Sequence, residues 1–363
     1  MRILFLGLSL LFLSHCKSTR SSQLLESVAG PSVSPQEIQN MPAWNAYVSE
    51  VEARYPLQPA CRPASFEHRG AQQQGLVILF HGFTACPQQF FAIGKRLAEA
   101  GFDVLIPLNP GHGMRTDTGV KEQASLPNKE NYREESNQFI STINGIARMY
   151  AAPVKVVAGL SLGGTYAAAA VAEDGTLYQR AIIMTPFLRL NGLIANIVGG
   201  VNNIDELRRS INPDATGTLT QRILSQTIGW GDGCRQETQA GRQGICNFDF
   251  THLVGAQQFG WELSRDRQIQ GRLQFILVEG DTAVDNNRIK WYYENKIIAF
   301  NSTKSLCFYP KPANHSLASR FDRPEEDKFW LKAFEEDLTR YVVEGTFWGH
   351  ASGQIDGYPK CRI

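Results

Sequence analysis

Apolar residues along this chain come in two alternating kinds of run. Short, continuous, mostly β-branched runs recur in "LVILFHG" from Leu76, "FDVLIPLNPGHG" from Phe102, "VKVVAGLS" from Val154, "RAIIMTPF" from Arg180, "LQFILVEG" from Leu273 and "SLCFYP" from Ser305. Runs of this kind predict buried strands. Between them lie segments with apolar positions at helical spacing: "FFAIGKRLAEAG" with its terminal Gly101, "YREESNQFISTINGIARMYAA", the small-residue run "GGTYAAAAVAEDG", a helix near "NRIKWYYENKI", and "PEEDKFWLKAFEEDLTRYVVEG". A short helix is expected over Met41–Arg54 and a further strand at "ASFEHRG". Strand and helix in strict alternation predict an α/β fold, a mostly parallel sheet covered on both faces.

The alternation breaks between residues 190 and about 270. That stretch carries helical patches ("IDELRRSI", "LTQRILSQTI"), the Cys234–Cys246 loop and "FDFTHLVGAQQFGWELSRD", with no strong buried strand. It reads as a helical region inserted into the alternating fold. The last residues, "TFWGHASGQIDGYPKCRI", read as an extended tail.

Composition adds little to the fold and something to the setting. The chain has 363 residues, 43% of them hydrophobic and 20% charged, with a net charge of +1. That is enough apolar material for one large core, and no basic face points to nucleic acid. The first residues do not belong to the fold. "MRILFLGLSLLFLSHC" has Arg2 followed by an apolar run from Ile3 to Leu13, too short to span a bilayer and suited to an export signal. The pattern is similar to a bacterial lipoprotein signal with Cys16 as the lipidated residue, although His15 stands where a small residue is usual. A simple secretory signal is the alternative. The expected organisation is a signal over 1–16, a tether over 17–40 and one domain over 41–363. The expected location is the bacterial cell envelope, lipid-anchored or periplasmic, or the exterior.

Cysteine usage agrees with export. Without Cys16, six cysteines remain, an even number suited to an oxidising compartment. Cys234 and Cys246 flank the floppy "RQETQAGRQGI" and form a candidate disulfide. Cys61, Cys86, Cys307 and Cys361 allow three pairings. No pair has Cys-x-x-Cys spacing, so no metal site is expected.

The chemistry concentrates at Gly159-Leu160-Ser161-Leu162-Gly163. A strand there must become a helix within a residue or two. Such a corner strains the serine backbone, lifts its hydroxyl clear of the sheet, and needs small neighbours for close backbone approach. The helix that starts beneath the serine favours a negative charge nearby. A serine hydroxyl needs a base. Where this elbow occurs, the chain order is serine, acid, histidine, which leaves His252, His315 and His350. His315, in "YPKPANHSLAS", directly follows a predicted strand and is preferred. His68 and His112 are expected to be structural or surface groups. The acid should follow the preceding strand, "LQFILVEG", which makes Asp281 the first choice and Asp285 its rival. Donors for a developing oxyanion are expected from the backbone N–H groups of Phe83, in the glycine corner "LFHGFTA", and Leu162. His81 is expected to shape that corner.

Together, "LFHGFTACPQQFFAIGKRLAEAGFDVLIPLNPGHG" and "GLSLGG" resemble bacterial carboxylesterases and monoacylglycerol lipases of the α/β-hydrolase superfamily. The resemblance covers about residues 70 to 190 and 272 to 345. It implies a sheet of about eight strands with a cap inserted at about 190–270. It also implies a Ser161–Asp281–His315 triad, an oxyanion hole at Phe83 and Leu162, and no cofactor. The implied reaction is cleavage of a small-molecule or lipid acyl ester through an acyl-enzyme on Ser161. Leu193, Ile194, Ile197, Phe248, Phe250 and Leu253 either line an acyl pocket or pack the cap onto the body. Thioester, amide or peptide cleavage by the same triad is the alternative chemistry. A surface binding protein without turnover is the alternative class.

Overall fold

The β-branched runs line up side by side in one twisted sheet. The computed structural model describes residues 41–70, 73–115, 125–192, 225–229, 244–298, 303–311, 313–318 and 330–347. All of these fall in a single compact unit spanning 35–363. The expected export signal with Cys16, the tether and the C-terminal tail from residue 348 onward lie outside the described residues.

Among the described residues the elements run in this order: α1 (Pro42–Arg54), β1 (Ala64–Phe66), β2 (Gly75–Phe80), α2 (Phe91–Glu99), β3 (Phe102–Ile106), α3 (Tyr132–Met149), β4 (Val154–Leu160), α4 (Leu162–Glu173) and β5 (Arg180–Met184). There follow β6 (Thr227–Gly229), β7 (Asn247–Asp249), α5 (Phe250–Asp266), β8 (Arg272–Val278), α6 (Asn286–Asn295), β9 (Lys304–Tyr309) and α7 (Leu331–Glu344). The main sheet has the order β1-β3-β2-β4-β5-β8-β9. Its described part holds seven strands where about eight were expected. Only β1 is antiparallel.

This order decides where chemistry can happen. From β2 the chain crosses to β3 on one side; from β4 it crosses to β5 on the other. Crossovers of one hand then put α2 and α4 on opposite faces. The turns after β2 and β4 therefore diverge and leave a crevice at their carboxyl ends, the usual ligand site of an open α/β sheet. Register brings the two ends level, since Phe80 pairs with Gly159.

Burial explains the element types. The strands β2, β3 and β4 bury nearly every residue, as continuous apolar runs should when both faces are covered. In α4, ten of twelve residues are buried. Its alanines let the helix lie close to the sheet. The terminal helix α7 stops at Gly345, at φ 77°, the left-handed cap that glycine accepts without strain.

The stretch read as a helical insertion holds more than helices. A two-stranded antiparallel ribbon pairs β6 with β7. Three residues per strand carry too little periodicity to stand out in the sequence. The long α5 packs against α3 and α4. Gly255 gives room to the Tyr132 ring, and a side chain at Gly260 would meet the Phe187 carbonyl at 2.0 Å. Residues 193–224 and 230–243 lie outside the described residues, Leu193, Ile194, Ile197 and Cys234 among them.

Cys61 and Cys86 form a disulfide that joins the N-terminal segment to the turn after β2. Cys246 and Cys307 are each disulfide-bonded as well, to cysteines outside the described residues. The N-terminal segment braces a second turn as well. Tyr47 of α1 donates to the Leu108 carbonyl at 3.0 Å and accepts from its N–H at 3.2 Å. Leu57 pairs with Met114, and Gln58 N–H donates to the Gly113 carbonyl.

Candidate active site

Ser161 sits at the tip of the β4–α4 corner with φ 58° and ψ −118°. A non-glycine residue with positive φ is strained, so packing must hold it there. The glycines around it explain how. A Cβ at Gly163 would lie 1.9 Å from the Phe80 carbonyl oxygen, and one at Gly159 would lie 2.0 Å from the Gly163 carbonyl oxygen. Only bare backbone fits at either place. The Ser161 N–H donates to the Met184 carbonyl, and its C=O accepts from Thr165 and Phe187. The backbone is thus fully tied, and the side chain alone projects into the crevice.

His315 arrives from the turn after β9. Its Nε2 lies 2.8 Å from Ser161 Oγ, and its Nδ1 lies 2.8 Å from Asp281 Oδ2. Asp281 follows β8, and its side chain is fully buried while that of His315 is 23% exposed. The other carboxylate oxygen of Asp281 accepts from the N–H groups of Ala283 (2.8 Å) and Val284 (3.2 Å). Asn191 donates to the Asp281 carbonyl at 2.5 Å. Two N–H groups and an imidazole thus satisfy this buried carboxylate. The three residues singled out from sequence thus converge within hydrogen-bond distance across 154 positions of chain.

The rivals have other employment. Asp285 caps α6, accepting from the N–H groups of Asn287 and Arg288, and faces Arg189 at 3.5 Å. His252 lies in α5 with Nδ1 on the Pro127 carbonyl, and burial lowers its basicity. His68 bonds the Ala98 carbonyl. His350 lies outside the described residues.

The turn Gly82–Ala85 faces the serine, and a Cβ on Gly82 would sit 3.6 Å from Ser161 Cβ. Its N–H groups can be counted. Gly82 N–H donates to Gln89 Oε1 at 2.8 Å, Thr84 N–H to His112 Nε2 at 3.2 Å, and Ala85 N–H to the Gly82 carbonyl at 3.2 Å. Among the described residues, the Phe83 N–H donates to no protein acceptor. Leu162 is the first residue of α4, where an N–H has no intrahelical partner. Of the two backbone donors expected from sequence, Phe83 N–H is the one left over in its turn, and Leu162 N–H shares the unpaired first turn of α4 with Gly163 and Gly164.

Sequence reasoning did not find what holds this turn. Thr84 adopts φ 61°. Its carbonyl accepts from Ile245 N–H at 2.8 Å, beside Cys246. The Phe83 ring packs edge-on against Phe248 at 5.0 Å and against His112 at 5.8 Å. Phe248, Phe250 and Leu253 all belong to the buried core, so the packing alternative describes them. No sequence period links residues 84, 112 and 245. "NPGHG" was the one available signal, through its turn residues. Among the described residues, no cluster of three or more His, Cys, Asp or Glu side chains could hold a metal ion.

A family model described as serine aminopeptidase, S33, matches residues 71–222, the stretch that carries the Phe83 turn and the Ser161 elbow. Over that stretch the chain is similar to this family. Solved structures share the fold described above. The chain is similar to a monoglyceride lipase from Saccharomyces cerevisiae (TM-score 0.55, 13% identity, 78% of this chain and 91% of that one). It is similar to a metagenome-derived lipolytic enzyme (0.52, 16%, 79% and 98%) and to a monoacylglycerol lipase from Paleococcus ferrophilus (0.50, 15%, 78% and 98%). No curated protein matches the chain.

Proposed function

We propose that this chain is a hydrolase that cleaves carboxylic esters through an acyl-enzyme on Ser161. The observation that carries the reading is the unbroken chain Ser161–His315–Asp281, two contacts of 2.8 Å, facing a turn with one unspent N–H. His315 Nε2 takes the Ser161 proton as Oγ attacks the ester carbonyl. The oxyanion is received by the N–H groups of Phe83 and Leu162. The same imidazole then protonates the leaving alcohol. Water, deprotonated by His315, attacks the acyl-enzyme and releases the acid. Asp281 holds the imidazole with Nδ1–H toward itself and stabilises the imidazolium.

The lipases and lipolytic enzymes of similar fold favour an ester with an acyl chain. The serine aminopeptidase description of the family model makes amide cleavage the second reading. We further propose that the N-terminal segment exports the protein and that lipidation of Cys16 tethers it at a membrane surface, where acyl esters are concentrated.

A fluorophosphonate probe tests the nucleophile. It should modify Ser161 in the wild type and nothing in Ser161→Ala. Ester, thioester and anilide substrates of one acyl length then separate the chemistries, and hydrolysis of the ester fastest per labelled site is the expected result. A folded, oxidised protein that takes no label would overturn the reading and leave a binding protein on a hydrolase fold.

A further inference from the structure

Two imidazoles that take no part in proton transfer grip the turn opposite Ser161. His81 ends β2's run, and His112 lies in the loop after β3. Both are buried, at 0% and 1% exposure. Their rings meet edge-to-face at 5.3 Å. His81 Nδ1 lies 2.9 Å from the Gly82 carbonyl oxygen, so that nitrogen must carry the hydrogen. Its Nε2 accepts from Asn109 N–H at 3.0 Å. His112 repeats the arrangement. Its Nδ1–H donates to the Pro110 carbonyl at 2.9 Å, and its Nε2 accepts from Thr84 N–H at 3.2 Å. One ring thus holds the peptide group before Phe83 Cα and the other holds the peptide group after it.

In a trans peptide the C=O and N–H point opposite ways. Holding the Gly82 carbonyl therefore aims the Phe83 N–H. Holding the Thr84 N–H stops the next peptide from turning over. It also keeps that donor off the substrate oxygen.

We propose that His81 and His112 are positioning residues that together aim the Phe83 N–H at the oxyanion, with Asn109 fixing the ring of His81. The proposal rests on the ester-hydrolase reading above and deepens it. Burial supports it independently. Desolvation pushes the His81 imidazole well below its usual range and that of His112 down to about 4, so both rings keep a lone pair at neutral pH. A protonated ring would lose the acceptor that each bond pattern requires.

The geometry makes a crossed prediction. An asparagine amide reaches the Nδ1 position of a histidine, and a glutamine amide reaches Nε2. His81 acts on the turn through Nδ1, and His112 acts through Nε2. So His81→Asn should exceed His81→Gln in kcat by about 10-fold or more, and His112→Gln should exceed His112→Asn by a similar factor. KM should stay within about 3-fold throughout. Complete loss of one oxyanion donor costs about 10²–10³ in kcat, which bounds the effect. Rates are taken per site titrated with fluorophosphonate, so unfolded protein does not count. Asn and Gln variants of equal kcat at either position would overturn the proposal, because packing alone does not distinguish them in opposite senses. The wild type gives a second test without any variant. Nitrogen NMR should find both rings in the Nδ1–H form, and an Nε2–H ring at either position would overturn it. A wild type that hydrolyses esters while the crossed pattern fails removes this inference alone. A wild type that never acylates removes the reading beneath it.

Discussion

The elbow at Gly159–Gly163 and the turn at Gly82–Ala85 face each other across the ends of β4 and β2, but they are held differently. The elbow is held by its own neighbourhood. Its glycines let backbone meet backbone at distances no side chain would permit, and its hydrogen bonds go to strands and a helix already adjacent. The turn is held by loans from elsewhere. His112 comes from after β3, Ile245 from the far end of the insertion, and Cys61 from the N-terminal segment. Half of the site is therefore rigid by local sequence. The other half is rigid only because several distant segments fold onto it.

The largest expected effect is on the elbow side. Gly163→Ala should cost more than about 4 kcal/mol and leave little folded protein, because backbone cannot move aside as a side chain can. Gly82→Ala, whose Cβ would meet its nearest atoms at 3.5–3.6 Å, should cost less than about 1 kcal/mol. Urea midpoints check the pair, and equal losses would erase the contrast. The next effect is on the turn. Replacing Cys61 and Cys86 together by serine removes a closure 25 residues apart in sequence. It should cost about 3 kcal/mol. It should also lower kcat per titrated site, and an unchanged kcat would show that the turn holds without its staple.

Acid should distinguish the two regions next. The elbow contains no group that titrates between pH 4 and 7, while His112 is lowered from 6.5 to about 4, with His81 and His252 near it. The unfolded chain then binds a proton that the folded chain refuses. Stability is complete above the unfolded value of 6.5 and falls as pH drops toward about 4, by on the order of 3 kcal/mol from this group. Urea unfolding of wild type and His112→Gln between pH 7 and 4.5 checks it, with a shallower slope expected for the variant. The smallest effect returns to the elbow. Ser161→Gly should abolish turnover yet raise stability by about 1 kcal/mol, because glycine accepts φ 58° without strain. A loss of stability there would mean that the serine backbone stores no strain.

The difference between the two regions also governs how much could be read in advance. Ser161 was legible because strand, glycine spacing and small-residue helix are contiguous. His315 and Asp281 were legible because each directly follows a strand run, and a parallel sheet gathers all such turns at one edge. Phe83 could be located by the same rule. The seven-stranded order, the ribbon of β6 and β7, and the packing of α5 on α3 and α4 were not. Short strands carry little period, and helix contacts are made by faces rather than by motifs. The Cys61–Cys86 pairing was one of several that the sequence left open, since pairing depends on distance in space.

By itself the sequence determined which residues could react and which corner would present them. Those choices depend on neighbours in the chain: a glycine where Cβ has no room, a serine where the backbone must turn, an acid and a histidine at strand ends. Only the tertiary structure decided what aims the Phe83 N–H. A lone peptide group can rotate; His112 stops it from 28 residues beyond Thr84, and His81, next to Gly82, is itself fixed by Asn109 from 28 residues away.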